Sequence, residues 1–215
     1  MRTPQHRTYD AVKRAIDVTL AGTALIALAP VMAVTSGVVM ASLGRPVLFW
    51  QERPGMNGKP FRLVKFRTMK PLVRSDQSDP ERMTPVGNWL RTTSLDELPT
   101  LWNVVKGDMS LVGPRPLMTW YVDHYTPYQI RRHEVRPGVT GLAQVAGRNS
   151  VSWEERFDHD VEYVDRRSLS LDMKIIFRTI AVVLKRQGIS HDGAATMPAF
   201  IEYWESDEFA RQGNQ

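Results

Sequence analysis

Apolar residues are distributed unevenly along this chain. From Val18 to Gly44 it reads VTLAGTALIALAPVMAVTSGVVMASLG, without a charged side chain. That is long enough to cross a hydrocarbon core, which takes about 20 helical residues. Two features argue against a plain span. Pro30 lies mid-run, where it removes a helical hydrogen bond and clashes with the preceding turn. The flanks are basic on both sides: Arg2, Arg7, Lys13 and Arg14 before, Arg45, Arg53, Lys59 and Arg62 after. Lys and Arg near membrane ends mark the cytoplasmic side, so both ends are expected on that side. A helix bent at Pro30, entering and leaving by one face, meets both observations. Three alternatives stay open: a straight transmembrane helix, in which Pro is tolerated; a buried core helix, rarely so long and charge-free; and a signal peptide, whose apolar region is normally shorter.

The pattern then changes to that of a globular unit. Val47-Leu48-Phe49-Trp50 and Phe61-Arg62-Leu63-Val64 flank Asn57-Gly58, a pair suited to positive φ, and predict a β-hairpin. Residues 70–85 are polar with three prolines and read as a mobile loop. Helical signals begin near Ser94 and recur over Trp153 to Val164. The clearest covers Leu171 to Arg186, with Ser170 before it and Gly188 after. There Ile175, Ile176, Thr179, Val182 and Val183 form a stripe beside Lys174, Arg178, Lys185 and Arg186. The stripe suits core packing or an anionic membrane surface. The last dozen residues are expected to fray. The fold class expected is α+β, with a re-entrant membrane helix over 1–44 and a globular unit over 45–215 that carries the hairpin and amphipathic interfacial helices.

Composition narrows the partners. The 215 residues carry 28 Lys and Arg against 23 Asp and Glu, a formal charge of +5, which favours an anionic partner. Cysteine is absent, so a thiolate nucleophile and Cys-ligated zinc are excluded. A mean hydropathy of −0.31 excludes a polytopic membrane protein. No nucleic-acid recognition motif accompanies the charge.

Two short blocks stand out. Thr93-Ser94-Leu95-Asp96-Glu97-Leu98-Pro99 has a structural explanation, a capping box from Ser94 to Glu97 with acidic groups at the positive helix end. It has a chemical one as well: Asp96, ionised at neutral pH, is a nucleophile that needs no activating base, and Glu97 suits a cation or a proton. In Gly113-Pro114-Arg115-Pro116 two prolines fix the backbone around Arg115, giving either a rigid turn or a preset phosphate clamp. Lys65, Arg67, Arg91 and Arg148 read singly as surface charges, and together with Arg115 as counter-charges for a diphosphate. Asp158-His159-Asp160 has a metal-like composition, but neighbours on a helix diverge. His124, His133 and His191 are scattered, and no Walker or Rossmann loop is present.

These blocks carry a resemblance. QERPGMNGKPF, KFRTM, LRTTSLDELPTLWNVVKGDMSLVGPRP and RPGVTGLAQVAGRN together resemble the monotopic polyprenyl-phosphate phosphoglycosyl transferases, the bacterial sugar transferase family, in its small form. The likeness runs from Lys13-Arg14-Ala15-Ile16-Asp17 to Ala195-Thr196-Met197. It implies transfer of a sugar phosphate from a UDP-sugar to undecaprenyl or another polyprenyl phosphate, releasing UMP, at the cytoplasmic face of the bacterial inner membrane. It implies Asp96 as covalent nucleophile and Glu97 as its dyad partner, with Mg2+ assisting at this pair. Arg115 is implied as a phosphate contact and Arg148 as a nucleotide contact. Lys65, Arg67 and Arg91 are the surrounding cations. The sequence departs from the family at Ala29-Pro30, where a Ser-Pro pair is usual, so Thr23 or Thr35 would have to satisfy a freed carbonyl. Ala146 and Thr100 also replace common polar residues. A membrane-bound scaffold that binds anionic lipid or a nucleotide is the competing reading. Sugar identity, polyprenol length and oligomeric state have no legible signal.

Overall fold

The computed structural model describes residues 4–74, 77–147, 151–185 and 200. Arg148, the segment matching Ala195-Thr196-Met197 and the last dozen residues lie outside them.

Two helices open the chain, α1 (Pro4–Ala27) and α2 (Ala29–Leu43). They meet at Leu28, with Pro30 in the first turn of α2, where its missing N–H is no loss. The pair is bent by 61°; no single helix is long and apolar enough to cross a membrane, while the bent pair passes by length and composition. Neither Thr23 nor Thr35 donates to a freed carbonyl among the described residues. Instead Ser36 Oγ donates to Met32 O at 2.8 Å one turn beyond.

The hairpin is present as β1 (Leu48–Pro54) and β2 (Pro60–Phe66), antiparallel, with Asn57 and Gly58 both at positive φ in its turn. The expected loop over 70–85 is more ordered in its plan than its polarity suggested. It contains α3 (Asp79–Arg82), whose Glu81 accepts from the Ser78 N–H at 2.8 Å, and it runs into α4 (Pro85–Thr92). Helix thus begins before Ser94. Thr84, the N-cap of α4, accepts from the Gly87 N–H at 3.0 Å, a signal hidden by the prolines around it. Then come α5 (Thr100–Lys106), β3 (Ser110–Val112), β4 (Gly138–Thr140), α6 (Leu142–Ala146), α7 (Trp153–Arg166) and α8 (Leu169–Lys185). α7 starts at the expected Trp153 and runs two residues beyond the expected Val164. α8 starts two residues earlier than expected, so Ser170 lies inside it.

Polar anchors join these elements. The Asn103 side chain donates to Arg62 O (2.7 Å) and accepts from Val64 N (3.1 Å), while Thr100 donates to Val64 O (2.9 Å). These two residues complete the free edge of β2 as a neighbouring strand would and fix α5 against it. Thr100 therefore has a structural task of its own. β3 and β4 pair in parallel, and here the Gly-Pro-Arg-Pro and Arg-Pro-Gly blocks touch: Gly138 N donates to Pro114 O at 2.9 Å. A Cβ on Gly138 would lie 2.1 Å from Gly113 N, so only glycine allows this backbone approach.

The N-terminal half of α1 is bolted to the rest of the chain. Arg14 donates to Val104 O and Val105 O at the C-terminal end of α5 (2.6 and 2.9 Å). Asp17 accepts from Ser110 Oγ at 2.7 Å, and Asp172 on α8 takes Tyr9, Lys13 and Tyr163 at 2.7, 2.9 and 2.8 Å. Lys13 and Arg14, read in the sequence as flanking charge, are thus committed to internal partners. α2 packs through Val39 onto Phe66 and Leu90. Arg67 donates to Leu43 O and to Gly44 O, the latter at 2.6 Å, closing the C-terminal end of α2 against the strand that carries Lys65.

α8 serves its core with Ile175, packed on Val112, Val135, Tyr163 and Val164. Its outer side exposes Met173, Phe177 and Ile180, with Lys174 and Arg178 also exposed. Asp172→Asn is expected to weaken three hydrogen bonds to α1 and α7 and to lower stability by about 1–3 kcal/mol. Thermal denaturation of the purified protein in detergent measures this.

Candidate active site

The site is built where α4 ends. Thr92 and Thr93 turn their hydroxyls back onto Trp89 O at 2.9 and 2.8 Å, and Thr93 also donates to Leu90 O at 3.1 Å, the carbonyl that the Ser94 N–H would use in a longer helix. Ser94 then adopts φ 57° and ψ 16°, the left-handed region uncommon outside glycine and asparagine. The next three residues, Leu95–Glu97, form a single 3₁₀ turn. The capping box expected from Ser94 to Glu97 is therefore not formed; Ser94 gives no side-chain cap because its backbone is turned out of the cap conformation. A capping box does form at Ser152–Glu155, where both reciprocal bonds are present.

The 3₁₀ turn separates the two carboxylates, since adjacent side chains on it diverge by about 120°. Glu97 faces β2 and the Gly-Pro-Arg-Pro turn: Lys65 Nζ and Arg115 Nη2 both donate to its Oε1 at 2.6 Å. Oε2 receives no bond from a described residue. Burial works to raise the Glu97 carboxyl, but Arg115 and Lys65 outweigh it and hold it well below the usual carboxylate range. Lys65 is itself lowered, chiefly by burial. Arg115 is raised, chiefly by Glu97.

Asp96 has the opposite environment. It is 7% exposed, and no described residue gives its oxygens a hydrogen bond or ion pair. Burial, followed by the neighbouring Glu97 charge, pushes its carboxyl up to about 6; Lys65, Arg115 and Arg91 oppose that rise. A carboxylate held bare, just ionised near neutral pH and facing a set of cations is prepared for an electrophile that itself carries negative charge.

Lys65, Asp96, Glu97 and Arg115 are thus brought together. Arg91 stands at the edge, its guanidinium on Thr68 Oγ1 (3.1 Å) and Met69 Sδ (2.9 Å), near enough for its field to reach Asp96. Arg67, one residue beyond β2, shares the strand face of Lys65 by alternation, yet it is directed elsewhere because the carbonyls ending α2 take its guanidinium. Arg148 lies outside the described residues. No cluster of three metal-ligating side chains occurs among the described residues. Two carboxylates nevertheless suit magnesium, which commonly takes one or two from protein and the rest from phosphate and water. Glu97 Oε2 and Asp96 are the donors of that kind.

A residue pair missed in the sequence fixes Arg115. Arg132 and Asp160, each 2% exposed, form an ion pair at 2.7 and 3.0 Å, and Arg132 Nη2 also donates to Arg115 O at 2.7 Å. The Tyr125 hydroxyl accepts from the same guanidinium at 3.2 Å. Asp160 was visible only as part of the Asp158-His159-Asp160 string. As divergence on a helix requires, its side chain goes to the core while Asp158 is exposed.

Comparison with known proteins gives the family. The sequence profile of the bacterial sugar transferase family matches residues 8–186. The chain belongs to that family. It is 47% identical over 192 residues to the uncharacterized sugar transferase EpsL of Bacillus subtilis, covering 88% of this chain and 95% of that one. It is 39% identical over 197 residues to the exopolysaccharide production protein ExoY of Sinorhizobium fredii, covering 82% and 87%. It is also similar, at 40% over 192 residues, to the UDP-glucose:undecaprenyl-phosphate glucose-1-phosphate transferase of Escherichia coli; the match covers 83% of this chain but 41% of that longer protein. For a bacterial sugar transferase, the Lys65–Glu97–Arg115 bridge places the acidic pair in a single arrangement with the Pro-Arg-Pro turn.

Two outcomes follow. The raised Asp96 carboxyl means that the fold favours its protonated form. This preference is fully expressed below the unfolded-state value of 3.8 and is lost as pH rises through about 6. Asp96→Asn is therefore expected to stabilise the protein by on the order of 2 kcal/mol at pH 8, with the gain vanishing by pH 4; denaturation at both pH values measures it. Asp160→Asn, which strands Arg132 in the core, is expected to cost about 3–5 kcal/mol, read by the same method.

Proposed function

We propose that this bacterial sugar transferase moves a sugar phosphate from a UDP-sugar to undecaprenyl or another polyprenyl phosphate, releasing UMP, with Asp96 as covalent nucleophile. The observation that carries the reading is the unequal pair: Glu97 is spent on Lys65 and Arg115, while Asp96 is buried, bare and ionises near neutral pH. The printed activity of the Escherichia coli relative supports the substrate classes. A scaffold that merely bound lipid or nucleotide would give no reason to hold a carboxylate unpartnered in the interior.

The chemistry runs in two displacements. An Asp96 oxygen attacks the sugar-bearing phosphorus; the bond from that phosphorus to the bridging oxygen breaks, and UMP leaves with the electron pair. The product is an aspartyl phosphosugar, an acyl phosphate. A polyprenyl phosphate oxygen then attacks the same phosphorus, Asp96 leaves as carboxylate, and a polyprenyl diphosphate sugar forms. No proton needs to move to or from Asp96 at pH 7. Lys65 and Arg115, already set by Glu97, counter the charge on the transferring group, and Arg91 adds to the field at the edge. Magnesium, held by Asp96 and Glu97 Oε2, would supply further neutralisation of the diphosphate.

The proposed setting is the cytoplasmic face of the bacterial inner membrane, with the bent α1–α2 pair inserted from one side over residues 1–44 and residues 45–215 catalytic. The basic flanks and the apolar exposed side chains of the pair, such as Leu20, Ile26, Val34 and Met40, support it. Residues 9–17 of α1 belong to both parts, since their polar side chains bind α5, β3 and α8. Anionic lipid beside the exposed apolar and basic side of α8 completes this picture.

The test is single-turnover. With a panel of UDP-sugars and no lipid, the protein is expected to release up to one UMP per chain and to gain the mass of the sugar phosphate on the Asp96 peptide. Asp96→Asn should abolish the labelled peptide and lower turnover at least about 10³-fold. Full turnover in that variant, or UMP formation only when lipid is present, would defeat the covalent assignment.

A further inference from the structure

Cations near the site are otherwise matched to acceptors: Arg115 and Lys65 to Glu97, Arg132 to Asp160 and Arg67 to the carbonyls ending α2. Arg67 keeps a buried Nε without a partner, but its Nη2 has two carbonyls; Arg53 is less well matched. It is only partly exposed; its Nη2 donates to Gln51 Oε1 at 2.6 Å, its Nε is buried with no partner, and no described carboxylate pairs with it. A guanidinium in such a place normally has its donors filled, because leaving them unpaired is costly.

Its position is defined by strand register. Cross-strand partners share a face, so the pairs Phe49–Lys65, Gln51–Leu63 and Arg53–Phe61 put Arg53 on the same side of the hairpin as Lys65. The two lie at levels four residues apart, about 13 Å along the strand. Arg115 neighbours both: it shares Glu97 with Lys65, it lines one small cavity with Pro54, the residue after Arg53, and its charge is the strongest acting on Arg53. The remaining groups acting on Arg53 are the phenols of Tyr121 and Tyr125, not carboxylates. A line of positive charge thus runs from the carboxylate pair through Arg115 to Arg53, neutralised at its first end and open at its second.

Resting on the transferase reading above, we propose that Arg53 binds the phosphate of the departing nucleotide, the second phosphate of the nucleoside diphosphate donor. Arg115 and Lys65 hold the phosphate that Asp96 attacks, and Arg53 takes the one that leaves. The planar guanidinium with an unfilled Nε–H suits two oxygens of a phosphate, which is the acceptor the protein itself does not provide. Burial and the Arg115 charge together lower the Arg53 guanidinium to about 10, so it stays charged at pH 7 while gaining from an anion placed beside it. Gln51 is the positioning residue, tying one side of the guanidinium and leaving the other free.

The experiment is calorimetric titration of the full chain in detergent with UMP, alongside steady-state kinetics. Arg53→Gln is expected to weaken UMP binding and raise the KM for the UDP-sugar about 10- to 100-fold, with the KM for polyprenyl phosphate unchanged. Arg53→Lys, which keeps the charge and loses the fork, should weaken UMP several-fold. Wild-type affinity for UMP in Arg53→Gln overturns the assignment, as does wild-type affinity in Arg53→Lys where the Gln variant does not fold. A wild-type protein that binds no UMP and releases none from any UDP-sugar would instead overturn the transferase reading, and this inference with it.

Discussion

One carboxylate oxygen organises the site. Glu97 Oε1 receives both Lys65 and Arg115 at 2.6 Å, and through them it ties the 3₁₀ turn after α4 to strand β2 and to the Gly-Pro-Arg-Pro turn. Three segments remote in sequence are fixed by a single acceptor. The same contact decides the electrostatics. Two cations without Glu97 would draw Asp96 into an ion pair and depress its carboxyl; with Glu97 in place their charge is partly consumed, and burial prevails at Asp96. Glu97 therefore keeps Asp96 available, whatever else it does when substrate and metal are bound.

The support behind this contact is polar and internal. Arg132, paired with Asp160, holds the backbone of Arg115, and Asn103 with Thr100 holds the strand that carries Lys65. A buried ion pair is seldom a gain in stability over apolar packing, because desolvation offsets attraction. It does set direction: a guanidinium with three partners has one orientation, and the carbonyl it holds determines where Arg115 points. The polar lashings of α1 act the same way, since Arg14, Asp17 and Lys13 lock the first helix to α5, β3 and α8 before the apolar run begins. The bend at Leu28 then returns the chain so that α2 rests on α4, the helix whose end launches the nucleophile.

Much of this was legible in the residues, for physical reasons that differ from element to element. The hairpin, α7 and the broken apolar helix carry local signals, such as Asn57-Gly58, Ser152 with Glu155, and Pro30 within a charge-free run. Residue chemistry already grouped Lys65 with Arg115 as counter-charges for a diphosphate, and the family resemblance tied them to Asp96 and Glu97; spacing did neither, because contacts across 32 or 18 residues leave no local trace. Two features misled. Ser94-x-x-Glu97 has the composition of a capping box, yet a serine at positive φ cannot cap, and conformation is invisible in a motif. Arg67 sits two residues from Lys65, yet a tertiary acceptor at the end of α2 claimed it. Arg132 gave no signal, Asp160 stood out only within a metal-like string and Arg53 only as flanking charge, because a charged residue's role depends on what it faces.

The 3₁₀ turn itself explains why two carboxylates stand side by side in sequence. On an α-helix, neighbours are about 100° apart and both of a pair in the first turn would share the helix-end field. In the turn at Leu95–Glu97, entered through a strained Ser94, Glu97 reaches the cations while Asp96 is carried into the interior. Strain of about 1–3 kcal/mol at such a residue persists only where surrounding contacts fix it, and here Thr92, Thr93 and the Glu97 bridge do so on both sides. Acidic neighbours with opposite environments are the result: one is ionised at any ordinary pH and serves as a fixed counter-charge, while the other titrates near neutrality and is left for chemistry. A longer regular helix through the same residues would make both carboxylates alike and lose that division.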